Sequence, residues 1–218
     1  MGIDRDIAQW QVETTQRQAS RDALQPLFSL NEQFLKAIAH SVPTSARASP
    51  LVVTMRDDFR QMSAEARRRL ARSPLLVEAG FATCNRWSID VLHQSRPRRA
   101  DPNRTWLSRS QAVGFARSTF FLAWYFVHTF PSAPRLILGM SDACIAFFAQ
   151  LKLGDIQRLS ECRYDWIRPR WESDPSIWRS LISLARNPPK TIPGAVTLHA
   201  MSLISADVRR DEQSSSTT

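Results

Sequence analysis

Glycine is scarce in this chain, with six in 218 residues. Phosphate-cradling loops and the nucleophile elbow of hydrolases need glycines at close spacing, where backbone must approach a ligand or turn sharply. No GxGxxG, GxSxG or Walker-type pattern is present. Cysteine is equally sparse: Cys84, Cys144 and Cys162 are odd in number, widely spaced and form no CxxC pair. A disulfide framework and a structural zinc site, which needs four converging ligands, are thereby excluded. The three are predicted to be small core residues of a reduced, cytoplasmic protein. His40, His93, His128 and His199 are scattered, without an HExxH pattern, so no metal ligand is assigned. No two acidic residues form a pair suited to general acid and base work. The expectation is a protein that is not an enzyme and takes no cofactor.

A long apolar run is also missing. The most apolar stretch, from Phe115 to Phe130, carries Arg117 and His128 and ends at Pro131. A bilayer span takes about 20 apolar residues, so this reads as a buried helix rather than a membrane segment. The opening MGIDRDIAQWQ is charged from its fourth residue and lacks the apolar core of a signal peptide. Lysine is almost absent. Of 29 basic residues, all but Lys36, Lys152 and Lys190 are arginine, against 20 acidic residues, for a formal charge of +9. Two explanations stand side by side: codon bias in a GC-rich bacterial genome, and phosphate recognition through the planar donor fork of arginine.

The helical period dominates what remains. Residues 4–24 are polar and helix-compatible, and Ser29-Leu30-Asn31-Glu32 fits a capping box before Phe34, Leu35, Ile38 and Ala39. The stretch 41–50, SVPTSARASP, reads as a linker and closes an N-terminal extension of residues 1–50. Residues 51–109 hold a helical segment with a basic turn at Arg67, Arg68, Arg69 and Arg72. They also hold a stretch, 75–92, compatible with short strands as well as helix. An exposed loop over 93–109 carries Arg96, Arg98, Arg99, Arg104 and Arg109 against the single Asp101. Residues 110–206 read as a helical domain: an aromatic helix over 110–130, a helix capped by Ser141 through Gln150, a turn at 152–154, and a helix from Asp155. Asp174-Pro175 then starts another helix. The type of 194–206 is open, and 207–218 is expected to be a disordered tail. The fold class expected is all-α.

Residues 141–162 have the outline of a helix-turn-helix, with Ala146 available for the helix crossing and Ile156 to hold the angle. The customary turn glycine is displaced to Gly154. Lys152, Arg158, Arg163, Arg168, Arg170 and Arg179 follow, interleaved with Trp166, Trp171 and Trp178. Such cations supply sequence-independent phosphate contacts, while the tryptophans fit a core better than an interface. Pro169 places Arg168 and Arg170 on an extended segment.

Over about Ser118 to Arg179, a third of the chain, the sequence resembles the D subunit of the bacterial flagellar master transcriptional activator. The register is carried by Leu122-Ala123, Leu138-Gly139-Met140-Ser141-Asp142, Leu151, Leu153, Ile156, Arg158, Leu159, Glu161, Arg170-Trp171, Ile177 and Arg179. The resemblance implies an all-α, dimerising subunit that joins a zinc-containing partner subunit to activate transcription. Three departures stand out. The chain is about twice the family's usual length, which leaves residues 1–110 without a counterpart. Ile167 occupies the place of a family cysteine that can link subunits. Trp166, Pro169 and Trp178 are not family features.

Two functions follow as expectations. The first is a DNA-binding or DNA-complex regulatory subunit, homo- or hetero-oligomeric. Lys152, Arg158, Arg163, Arg168 and Arg170 would position phosphates, Arg96, Arg98, Arg99 and Arg104 would follow the backbone, and Gln157 would reach a base edge. Phe121, Trp124, Trp171 and Trp178 are the candidate partner interface. The second is a non-enzymatic helical adaptor of a secretion or motility apparatus, motivated by seven tryptophans and eleven phenylalanines available as anchors. Charge is uneven between the two basic regions: residues 152–179 carry six bases against five acids, so spacing rather than net charge supports the helix-turn-helix.

Overall fold

Serine, aspartate and proline punctuation sets most helix starts in the computed structural model. It describes residues 3–41, 49–83, 87, 106–130, 132–192 and 194–215, with side chains from residue 22 and, in the last helix, to residue 207 and at 209. Helix α1 spans Ile3–His40. It passes through Pro26 and Ser29 without a break, so Ser29 is not an N-cap. The reason is the apolar stripe Leu27, Leu30, Phe34, Leu35 and Ile38, all buried, which straddles Ser29. A break there would pull Leu27 and Leu30 off the core. Each such side chain contributes about 1.5–3 kcal/mol, against about 3 kcal/mol for a proline inside a helix.

Helix α2, Pro50–Arg60, takes Ser49 as its cap and Pro50 at its first turn, so the end of the expected linker belongs to a helix. The rest of it, 42–48, lies outside the described residues. Helix α3, Ala64–Ala71, is capped by Ser63, and both short helices pack on α1. Helix α4, Arg109–Thr129, starts at a capping box between Ser108 and Gln111. A π-helical turn, Pro134–Leu138, ends in left-handed Gly139. Helix α5, Asp142–Gln150, follows Ser141 as read from the sequence. Helix α6, Leu153–Cys162, starts two residues earlier than expected. Helix α7, Pro175–Arg186, begins at the predicted Asp174-Pro175 pair. Helix α8, Ala195–Ser215, settles the open type of 194–206 and stays helical past 207, through most of the expected tail. One hydrophobic cluster runs from α1 to α8 and crosses the boundaries placed at 50 and 109.

The ambiguous stretch after residue 75 is strand, though short: β1, Val77–Glu78, pairs antiparallel with β2, Arg168–Pro169. Around β1 the chain is non-helical yet buried. Leu75, Leu76, Val77, Ala79 and Phe81 have no exposed surface. Buried backbone polar groups must be paired, and here the partners come from distant elements. Asn31 of α1, fully buried, donates Nδ2–H to the carbonyls of Ala71, Ser73 and Pro74 at 2.9–3.1 Å, and its Oδ1 accepts from Leu76 N at 3.0 Å. Leu75 N–H reaches Ile137 O, and Phe81 O accepts from Ser141 N–H. Gly80 O accepts from the Trp87 indole at 2.6 Å.

Two predictions follow. Asn31→Leu keeps the volume but strands buried carbonyls and an amide, each costing about 1–3 kcal/mol. It is expected to lower the unfolding free energy by about 3 kcal/mol, seen as a shifted urea midpoint. At the start of α7, the hydroxyl of Ser176 and then its amide donate to the Asp174 carboxylate and hold its pKa below the ordinary value. With the folded pKa depressed, the cap stabilises at neutral pH and is lost as pH falls through the carboxylate range. Asp174→Asn, which keeps a capping oxygen, is expected to flatten the acid limb of a Tm-against-pH profile below about pH 4.

Candidate nucleic-acid interface

The expected hairpin is present as α5, the two-residue connection Leu151-Lys152, and α6. Its packing differs from the expectation. Both helices pack on α4, and α4 with α6 is the most extensive helix pair. Ile156 is buried as predicted. Ala146 is exposed and marks no crossing; Cys144, Phe147 and Phe148 face inward instead. With lysine at the N-cap, the start of α6 depends on Asp155, whose Oδ2 accepts the Lys152 backbone N–H at 2.9 Å. Cys144 and Cys162 are not in a disulfide, and no metal-ligating cluster occurs among the described residues.

On the outer face of α6, Gly154, Gln157, Arg158 and Glu161 are exposed, with Lys152 and Leu153 at its start. Arg158 lies 4.0 Å from Asp155, and Gln157 Nε2 lies 3.5 Å from Glu161 Oε1. Arg117 of α4, not singled out from the sequence, approaches the same Glu161 at 3.9 Å. The available signal was its spacing: Arg109 and Arg117 are eight residues apart and share a helix face. Together with Gly114, Ser110 and Val113 they line an open groove beside α6. This surface carries both signs of charge.

The other cations do not join it in the expected way. Arg168 is half-buried and lies 3.6 Å from Glu172. Arg163 is buried, bonds Cys162 O at 3.3 Å and stacks over Trp166 at 5.3 Å. Arg170 is 3% exposed. These last two are corrections: burial withholds both guanidinium groups from phosphate. Arg96, Arg98, Arg99 and Arg104 lie outside the described residues.

Arg170 is instead a fold anchor. Its Nε donates to Leu75 O at 2.9 Å, and Nη2 donates to Leu138 O at 2.7 Å and faces Val77 O at 3.5 Å. Nη1 lies 3.8 Å from Glu78. Its backbone N–H bonds Leu76 O, and its own carbonyl accepts from the Trp178 indole at 2.6 Å. Gly139 makes room for this group. With φ at +68° it is left-handed, and a Cβ there would meet Arg170 Nη1 at 2.7 Å.

The aromatic candidates divide. Trp178 is fully buried against Phe59 and belongs to the core, not to a partner interface. Trp171 adopts φ of +53°, unusual for a non-glycine residue, and its indole donates to Asp207 of α8 at 2.7 Å. Trp124 is half-buried and donates to Leu151 O at 2.8 Å, tying α4 to the hairpin turn. Phe121 alone of the four stays exposed, beside a groove of about 370 Å³ between α1 and α4.

Arg170→Met and Arg170→Lys are both expected to cost about 3 kcal/mol or more, because buried carbonyls lose a fork that lysine cannot reproduce. Gly139→Ala should also destabilise, through both its backbone conformation and the close approach. Arg168→Ala should stay within about 0.5 kcal/mol. Urea unfolding of the four variants separates the anchor from its neighbour. Compared with known proteins, the chain matches no protein-family model, no curated protein and no solved structure.

Proposed function

We propose that the chain is a non-catalytic regulatory subunit of a DNA-bound transcription complex, acting in the cytoplasm with a protein partner and presenting α6 to duplex DNA. One observation carries the reading. Two segments of the register shared with the flagellar activator's D subunit, Leu138-Gly139 and Arg170-Trp171, lie 31 residues apart and meet: the Arg170 fork sits on Leu138 O and against Gly139. Ser141 caps α5, and Ile156 and Leu159 anchor α6. The resemblance therefore falls on residues that work together in space. Lys152, Gln157 and Arg158 remain outward on α6, with its N-terminal end beside them.

A second reading, an adaptor without DNA contact, is favoured by the groove between α1 and α4, where Leu30, Leu122, Tyr125 and exposed Phe121 present an apolar surface.

The test is salt-dependent binding of a labelled duplex by the full chain, with its genomic neighbour as partner. Lys152→Ala with Arg158→Ala is expected to flatten the dependence of log K on log salt by about two units, near one per phosphate contact. Phe121→Ala should leave that slope unchanged. If the duplex is not bound at low salt even with the partner, the adaptor reading takes its place.

A further inference from the structure

Helix α3 and the outer face of the second half of α1 have no functional reading so far, and charged side chains stand on both. The second half of α1 packs beside α3. Lys36 Nζ lies 2.8 Å from Glu32 Oε1 on the outer face of α1. The Glu32 carboxyl is held below its ordinary pKa chiefly by its hydrogen bond to Lys36 and also by the positive fields of Arg68 and Arg67. Arg67 is half-buried and braced by its Nη2 on Met62 O at 3.3 Å. Arg68 and Arg72 are exposed, one turn apart at the end of α3. Nearby carboxylates are committed elsewhere: Glu65 pairs with Arg69, whose Nη1 also holds Ala185 O, and Asp58 pairs with Arg186 at 3.7 Å. Lys36 is thus paired with Glu32, while Arg68 and Arg72 stand exposed at the end of the neighbouring helix.

The kind of partner follows from what accompanies the charge. The large exposed hydrophobic residues among the described ones are Val53, Phe121, Leu136, Leu153, Ile192 and Leu198. None lies on the second half of α1 or on α3. Protein interfaces concentrate their affinity in buried aromatic and aliphatic anchors, and membrane-surface helices insert an apolar face. A face with cations and no anchor suits a partner of dense, regular negative charge. Arg68 and Arg72, about 6 Å apart along the helix axis, span the order of two phosphates at about 3.4 Å of axis per strand charge. We infer that the outer face of α1 and α3, carrying Lys36, Arg67, Arg68 and Arg72, is a phosphate-backbone contact surface for duplex nucleic acid. It is separate from α6 in the chain and reads no sequence.

The experiment measures binding of the full chain to a labelled duplex of arbitrary sequence across a KCl series. Lys36→Gln, Arg68→Gln and Arg72→Gln combined should lower the salt slope by about two to three units and weaken binding more than tenfold at 0.1 M salt. Glu32→Gln, which removes the opposing acid, should tighten binding about two- to threefold. A tighter complex cannot come from damage to the fold, so this variant protects the test against misfolding of the first. Lys152→Ala with Arg158→Ala forms a parallel arm: loss of slope there alone overturns this surface and leaves the α6 reading standing, while loss in the triple variant alone does the reverse. Unchanged binding in both the triple variant and Glu32→Gln overturns the inference, as does equal binding of poly-glutamate, which would mark the surface as a general polyanion or acidic-protein site.

Discussion

A buried stretch of chain that is neither helix nor extended sheet must have its backbone polar groups satisfied from elsewhere, and residues 73–81 impose that requirement on this fold. Two polar side chains from distant elements meet part of it. Asn31, from α1, takes up carbonyls at the end of α3 and the amide of Leu76. Arg170, from beyond α6, takes up the carbonyls of Leu75 and Leu138. The first partner lies 45 residues away and the second 95. The helices before this segment and those after it are therefore joined through hydrogen bonds that no local sequence rule encodes, and an unmade one costs more than a made one contributes.

This arrangement redirects the arginines. A guanidinium with five donors in a plane can serve several carbonyls at once, which lysine cannot. In this chain that property is used inward at Arg170, while Arg163 is buried between Cys162 O and the Trp166 ring. The cations left outward on α6 sit among Asp155 and Glu161. Other arginines stand exposed at the end of α3, at Arg68 and Arg72. Arginine abundance thus has three destinations in one molecule, and composition cannot apportion them.

Legibility from sequence follows the range of the interaction. Ser141, and Asp174 with Pro175, announce their helices because a cap is a contact over two or three residues. The start of α6 escaped notice because Lys152 is no acceptor and Asp155 reaches back to do the capping. Ser29 misled because its local pattern was right and the tertiary stripe around it overrode it. Arg168 and Arg170 looked equivalent, two residues apart on an extended run. The strand ends at Pro169, and Trp171 turns left-handed, so the two side chains leave in different environments. Trp178, which by its pattern fits a core better than an interface and is also a candidate anchor, is decided by packing against Phe59 of α2, more than 100 residues away.

The placement of Arg170 bears on what a family resemblance can mean. An arginine-aromatic pair followed in register with a leucine-glycine pair looks, in one dimension, like a basic recognition element. In three dimensions the arginine, the leucine carbonyl and the glycine make one contact, whose function is to hold a turn against a buried strand. Residues that hold a fold are constrained in type by geometry, whereas residues that touch phosphate need only charge and reach. The functional content of this chain must therefore be sought where geometry leaves choice: on the outer face of α6, on the groove beside Phe121, and on the cationic face of α1 and α3.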